Sequence, residues 1–165
     1  MKMTFIKTLF FAAIIIGFGA TAQAEDLPRG QQVNSGKTVS KPTYVQEYQA
    51  ITEVLNQYIE GCKQARSSIM KSAFSPHATM YSVDSDGKLA GGAIPILFDG
   101  IDKDFRPSPD AQAAIVRIEI VGTAASARID ANDMSGISFT DFLHLLKVEG
   151  KWTVVSKIFQ THVAP

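Results

Sequence analysis

The chain predicts an α+β domain in which helices come first and a mainly antiparallel sheet follows. Apolar residues recur at three- and four-residue spacing from Val45 to Cys62, the period of a helix buried on one side. Later segments rich in β-branched and aromatic residues are separated by glycine-bearing turns, the mark of consecutive strands. The longest pair, ending at Val148 and starting at Lys151, flanks Glu149-Gly150 as a hairpin with a two-residue turn. Helices followed by strands pack as helices against one sheet face.

The first 24 residues read as a signal peptide. Lys2 and Lys7 frame a basic start, Leu9 to Phe18 is a short apolar run, and Ala22-Gln23-Ala24 offers a small-x-small cleavage site. That run is shorter than the roughly 20 apolar residues of a membrane span. No cysteine precedes the site, so a lipid anchor is not expected, and the mature protein is expected in the periplasm or outside the cell. Residues 25–42, rich in Gly, Ser, Gln, Lys and Pro, read as a disordered leader, and the domain is expected over 43–163.

Cleavage removes two lysines and no acid, leaving 14 basic and 16 acidic side chains and a formal charge of −2. That balance argues against nucleic-acid binding, which needs clustered cations, and against an anionic membrane surface. Cys62 has no intramolecular disulfide partner and falls on the apolar helical stripe as a small buried hydrophobe.

In the domain, Thr43 and Gln46 have the form of a capping box after Pro42, opening a helix of about five turns. Ser67 or Ser68 is expected to cap a second, shorter helix carrying Ile69, Met70, Ala73 and Phe74, which Pro76 ends. Ala78 to Val83 reads as a strand, Asp84 to Gly87 as a tight turn and Gly91-Gly92 as a sharp bend. Pro95 suits the first turn of a short helix through Phe98 and Ile101. A proline-stiffened loop, 102–112, precedes a hairpin of Ala113–Val121 and Ala124–Ala131, and the long hairpin follows.

Pairing outward from Glu149-Gly150 places Asp141, Leu143, Leu145 and Lys147 on one face, opposite Ile158, Ser156, Val154 and Trp152. Phe142, His144, Leu146 and Val148 share the other with Phe159, Lys157, Val155 and Thr153. Both faces are largely apolar, which implies a second cover and predicts a homodimer through the Phe142/Leu146/Val155 face. Asp141 stands alone among apolar neighbours. Such a carboxylate either bonds to backbone or to a lysine such as Lys147, or is held as a pocket acid.

No His-x-His or Glu-x-x-His pair joins His77, His144 and His162, so no metal is expected. A Gly-x-Ser-x-Gly elbow and a glycine-rich phosphate loop are absent, and nothing points to a cofactor. Tyr58 lies on the core face of the first helix, where its hydroxyl needs a partner. Tyr81 is either a pocket wall or an ordinary sheet tyrosine. His77 and His162 are read as loop and tail histidines.

Tyr58-Ile-Glu60, Ala73-Phe-Ser-Pro-His-Ala-Thr79, Phe139-Thr-Asp-Phe-Leu-His-Leu-Leu-Lys147, Gly150-Lys-Trp152 and Ser156-Lys-Ile-Phe159 carry a family resemblance. The chain resembles the nuclear transport factor 2-like superfamily from about Tyr44 to His162, and within it the putative lumazine-binding group. The resemblance implies a cone-shaped α+β barrel, with N-terminal helices packed on a curved sheet. Steroid isomerases of that superfamily are similar over two of these segments. Their helix tyrosine matches Tyr58, their late-strand acid lies near Asp141, and their first-strand base falls on Ser82, which is no base by itself.

The resulting expectation is an exported protein binding a small, partly apolar molecule, with Tyr58 and Asp141 as polar contacts and Tyr81 and Trp152 as walls. The alternatives are an enzyme of the cyclase, dehydratase or isomerase kind using Asp141 or His77, and a dimeric interaction module without a pocket.

Overall fold

Helix α1 (Thr43–Lys63) forms where the apolar spacing lies and buries Ile51, Leu55, Tyr58 and Cys62. Val45 and Tyr48, earlier on the same stripe, are exposed, so the stripe is covered only from about its third turn. The computed structural model describes residues 43–162; the expected signal peptide, the leader and the Thr43 side chain of the capping box lie outside the described structure.

The second helix is shorter than its sequence suggests. Helix α2 (Ser67–Met70) passes into a 3-10 turn, Lys71–Ala73, and β1 (Phe74–Val83) begins at once. Pro76 therefore sits inside the strand. Its ladder partnership with the last strand is interrupted between Phe74 and Thr79, where a missing N–H breaks no ladder bond. The expected serine cap is replaced by Asp102, which accepts from the Ser67 N–H at 2.8 Å and from its hydroxyl at 2.6 Å. Asp102 belongs to α3 (Pro95–Asp104), which starts on its proline and buries Leu97 and Ile101.

Gly91-Gly92, read as a bend, lies within a strand, β2 (Leu89–Ala93), which pairs antiparallel with β1. Gly91 has φ +133°, and a Cβ there would stand 2.1 Å from the Met80 carbonyl oxygen. Only glycine lets the two strands approach this closely. The remaining strands are β3 (Gln112–Val121), β4 (Ala124–Met134), β5 (Ile137–Val148) and β6 (Lys151–His162).

The sheet has six strands in the order β2-β1-β6-β5-β4-β3, with only β1 and β6 parallel. Two leading helices, a third between β2 and β3, and a curled, mostly antiparallel sheet make the cone-shaped α+β fold.

The β5–β6 hairpin turns at Glu149 (φ 50°) and Gly150 (φ 80°), both left-handed as a tight two-residue turn requires. From Val148↔Lys151 to Leu145↔Val154 the register is the expected one. Val155 then enters as an extra residue, so His144 pairs with Ser156 and Leu143 with Lys157. A one-residue slip exchanges faces. Lys157, expected beside Phe142, lies on the Asp141 face and is buried, while Ile158 takes the outer face and is exposed. Asp141, Leu143, Leu145, Trp152 and Val154 are buried with it, whereas Phe142, Leu146 and Val148 remain open.

Candidate functional site

Three elements bring a tyrosine, an aspartate and a lysine together inside the cone. Tyr58 comes from α1, where an apolar position puts its ring in the core, packed edge-on to Phe74 at 5.6 Å. Its hydroxyl donates to Asp141 Oδ2 at 2.7 Å. Lys157 Nζ lies 2.6 Å from Asp141 Oδ1, with the two side chains 3% and 0% exposed. The ammonium thus meets Oδ1 as a buried ion pair, while Oδ2 takes the tyrosine hydroxyl. The expected lysine partner, Lys147, pairs instead with Glu47.

Lys157 is held by rings as well as by charge. Its Nζ stands 4.0 Å from the Phe159 ring centroid, 5.7 Å from that of Phe139 and 5.8 Å from that of Tyr58. Desolvated cation–π contacts of this kind each contribute about 1–2 kcal/mol.

Burial fixes the protonation tendencies. It pushes the Asp141 carboxyl above its ordinary value of 3.8, against the opposing pull of Lys157 and Tyr58. Burial also raises Tyr58 well above 10, reinforced by the charge on Asp141, so Tyr58 stays a donor. The Cys62 thiol, one helical turn on, is pushed up to about 12 by burial and is not a thiolate at neutral pH.

Beside this triad a cavity of about 280 Å³ opens between α3 and the sheet. Leu97, Ile101, Phe105, Met80, Phe139 and Phe159 form apolar walls, Tyr58, Lys157 and the Cys62 thiol supply the polar groups of the interior, and exposed Thr161 adds a hydroxyl. Ile96 and Ile137, both exposed, stand at its rim. Asp141 does not line the cavity; it lies behind Tyr58 and Lys157 and touches both. One buried carboxylate thus orients two groups that face an apolar space.

The four residues singled out from the sequence divide into two kinds. Tyr58 and Asp141 meet. Tyr81 lines a shallow depression on the outer face with Phe142 and Ile158. Trp152 borders an open groove between α1 and the β5–β6 turn, where its indole N–H donates to Glu47 at 2.6 Å. That groove is larger, about 630 Å³, but mixes polar and apolar walls and has no member of the triad in its lining. Ser82, the base position implied by the isomerase resemblance, shares the depression of Tyr81, and the residue that β1 gives the cavity is Met80. His77 is exposed. Lys157 was hidden from sequence reasoning by the Val155 bulge. The available signal was a lysine set in an apolar strand opposite the strand that carries the solitary acid.

A family model described as putative lumazine-binding matches residues 46–160. Among characterised proteins, Aldolase FrzH of Cladobotryum sp is 29% identical over 120 residues, spanning 70% of this chain and 92% of that protein. Among solved structures, an NTF2-like protein of unknown function from Shewanella baltica is 66% identical with a TM-score of 0.73, over 74% of this chain and 98% of the other. A second NTF2-like protein, from Methylobacillus flagellatus, is 38% identical with a TM-score of 0.67, over 72% and 94% of the two chains.

Proposed function

The chain belongs to the putative lumazine-binding family of the nuclear transport factor 2-like superfamily, and from that premise we propose that it binds a small, partly apolar molecule between α3 and the sheet. The observation that carries this reading is the presence of Tyr58 and Lys157 together in a mainly apolar cavity, both held by the buried Asp141. Apolar walls with few convergent polar groups are the usual make-up of a small-molecule site, and about 280 Å³ suits a compact ligand. An oxygen at one end of the ligand would meet the hydroxyl and the ammonium, and its body would lie against Leu97, Phe105 and Phe139. Tyr81 and Trp152 line other surfaces and have no part in this reading.

The signal-peptide pattern of residues 1–24 supports export to the periplasm or beyond. The open Phe142, Leu146 and Val148 face supports a homodimer. Native mass spectrometry of residues 25–165, purified gently from an exporting host, tests these statements together. A dimer carrying a small-molecule mass is the expected result. An apo protein whose cavity also fails to take up small aromatic probes would remove the binding reading.

A second reading, an enzyme acting on carbonyl compounds, draws on the likeness to Aldolase FrzH over 92% of that protein. Tyr58 and Lys157 are suited to an oxygen that gains negative charge. Deuterium exchange at the α-carbon of small ketones, lost in Lys157→Met, is the assay. No exchange above the rate in buffer would leave the binding protein alone.

A further inference from the structure

We propose that Lys157 is an amine nucleophile and that the cavity takes small apolar aldehydes or ketones, which it holds as a reversible imine. The inference rests on the cavity being the ligand site. It adds the ligand's chemical class and a covalent step.

The geometry assigns the step. Lys157 Nζ lies among the rings of Tyr58, Phe139 and Phe159, all three of which line the cavity, so a carbonyl carbon entering there meets the nitrogen at the inner end. Amines attack only when neutral, and lysines buried in apolar surroundings are those that serve in Schiff-base chemistry. The proton has a destination 2.6 Å away, on Asp141 Oδ1, the carboxylate oxygen that Tyr58 leaves free. That transfer frees the nitrogen lone pair at the cavity as the carbonyl carbon arrives. Burial already holds the Asp141 carboxyl above its ordinary value, in keeping with that role.

The step balances with the groups present. Lys157 gives a proton to Asp141, and the nitrogen lone pair forms the C–N bond while the carbonyl π pair moves to oxygen. With Asp141 neutral, the Tyr58 hydroxyl turns from Oδ2 to that oxygen, gives it a proton and regains one from the nitrogen, leaving a neutral carbinolamine. Asp141 Oδ1, which holds the proton beside the nitrogen, then returns it to the carbinolamine hydroxyl. The C–O bond breaks, water leaves, and the iminium remains beside an ionised Asp141. One ammonium and one carbonyl give one iminium and one water.

The test treats the full chain with benzaldehyde and sodium borohydride at neutral pH and maps benzylated lysines by peptide mass. Benzyl alcohol, followed by saturation-transfer NMR, reports cavity binding without a carbonyl. Label concentrated on Lys157, several-fold above exposed Lys71, Lys103 and Lys151, is the expected result, with none at this position in Lys157→Arg. Tyr58→Phe is expected to slow labelling several-fold, by a larger factor than it weakens benzyl alcohol binding. Should Lys157→Arg fail to fold, the wild-type map and the Tyr58→Phe rate decide. Benzyl alcohol binding with Lys157 unlabelled would overturn the imine and leave the cavity reading intact. Failure of both molecules to bind would overturn both.

Discussion

Asp141 and Lys157 form an ion pair shut off from water, with Oδ1 and Nζ 2.6 Å apart. They lie diagonally across the β5–β6 ladder, since Lys157 pairs with Leu143 and Asp141 with Phe159. Two desolvated charges of this kind contribute little net stability, because the attraction is offset by lost hydration. A buried pair that stabilises weakly and still orients two cavity groups is better explained by function than by folding.

Removing one partner should be far worse than removing both. Asp141→Asn strands the ammonium and is expected to cost about 3–5 kcal/mol, the usual penalty for breaking a buried pair. The double variant Asp141→Asn with Lys157→Met should recover most of that loss. Urea unfolding of the wild type, both singles and the double variant gives the coupling energy. Additive losses would show that the two side chains do not act as a pair.

The pH dependence of stability should divide by sign. Asp141 is raised above 3.8 in the folded chain, so its contribution is fully present below the unfolded value and is lost as pH rises through the raised one. Glu47, Asp102 and Asp130 are lowered, chiefly by bonds from Lys147, Ser67 and Arg128 respectively. Their contributions are present above the unfolded values and lost as pH falls through the lowered ones. Acid should therefore destabilise the wild type through those three while Asp141 opposes the trend. Urea midpoints from neutral pH down toward 3.8 should show the gap between wild type and Asp141→Asn widening. A narrowing gap contradicts the raised carboxyl.

The division between what the sequence told and what it withheld follows from register and distance. Tyr58 and Asp141 were legible because each is a polar group on an apolar face, and such groups need partners. The hairpin was legible as far as Leu145, since Glu149-Gly150 fixes the pairing near the turn. Beyond it, Val154-Val155 reads equally well with either residue inward, so an apolar pattern on both faces conceals a bulge. One unmarked residue moved Lys157 from the outer face into the site. Trp152 keeps its expected face but borders another groove, where it bonds to Glu47, 105 residues away, a contact no local pattern reveals.

Gly91 should tolerate no side chain. Its φ of +133° is strained for any other residue, and a Cβ would overlap the Met80 carbonyl oxygen at 2.1 Å. Backbone strain alone costs about 1–3 kcal/mol, and the overlap must also push β2 off β1, the strand that gives Met80 to the cavity. Gly87, also left-handed at φ +76° but with open space around it, is the control. Thermal unfolding should place Gly91→Ala well below Gly87→Ala. Equal melting temperatures would mean that β2 can move away without loss.

The outer sheet face supplies the last prediction. Phe142, Leu146, Val148 and Ile158 are 46%, 42%, 52% and 48% exposed, and together they leave an apolar surface on the side away from the cavity. Water contact across such a surface is unfavourable by about 25 cal/mol for each Å² of apolar area, which a second copy would relieve. Phe142→Asp with Leu146→Asp places two carboxylates on the face proposed to meet a second copy, where burial and like-charge repulsion would both oppose association. Sedimentation velocity at micromolar concentration should show the wild type as a dimer and this variant as a folded monomer. Because Phe142 and Leu146 point away from Tyr58 and Lys157, binding of benzyl alcohol in the cavity should survive the change. A monomeric wild type would remove the dimer while leaving the cavity reading intact.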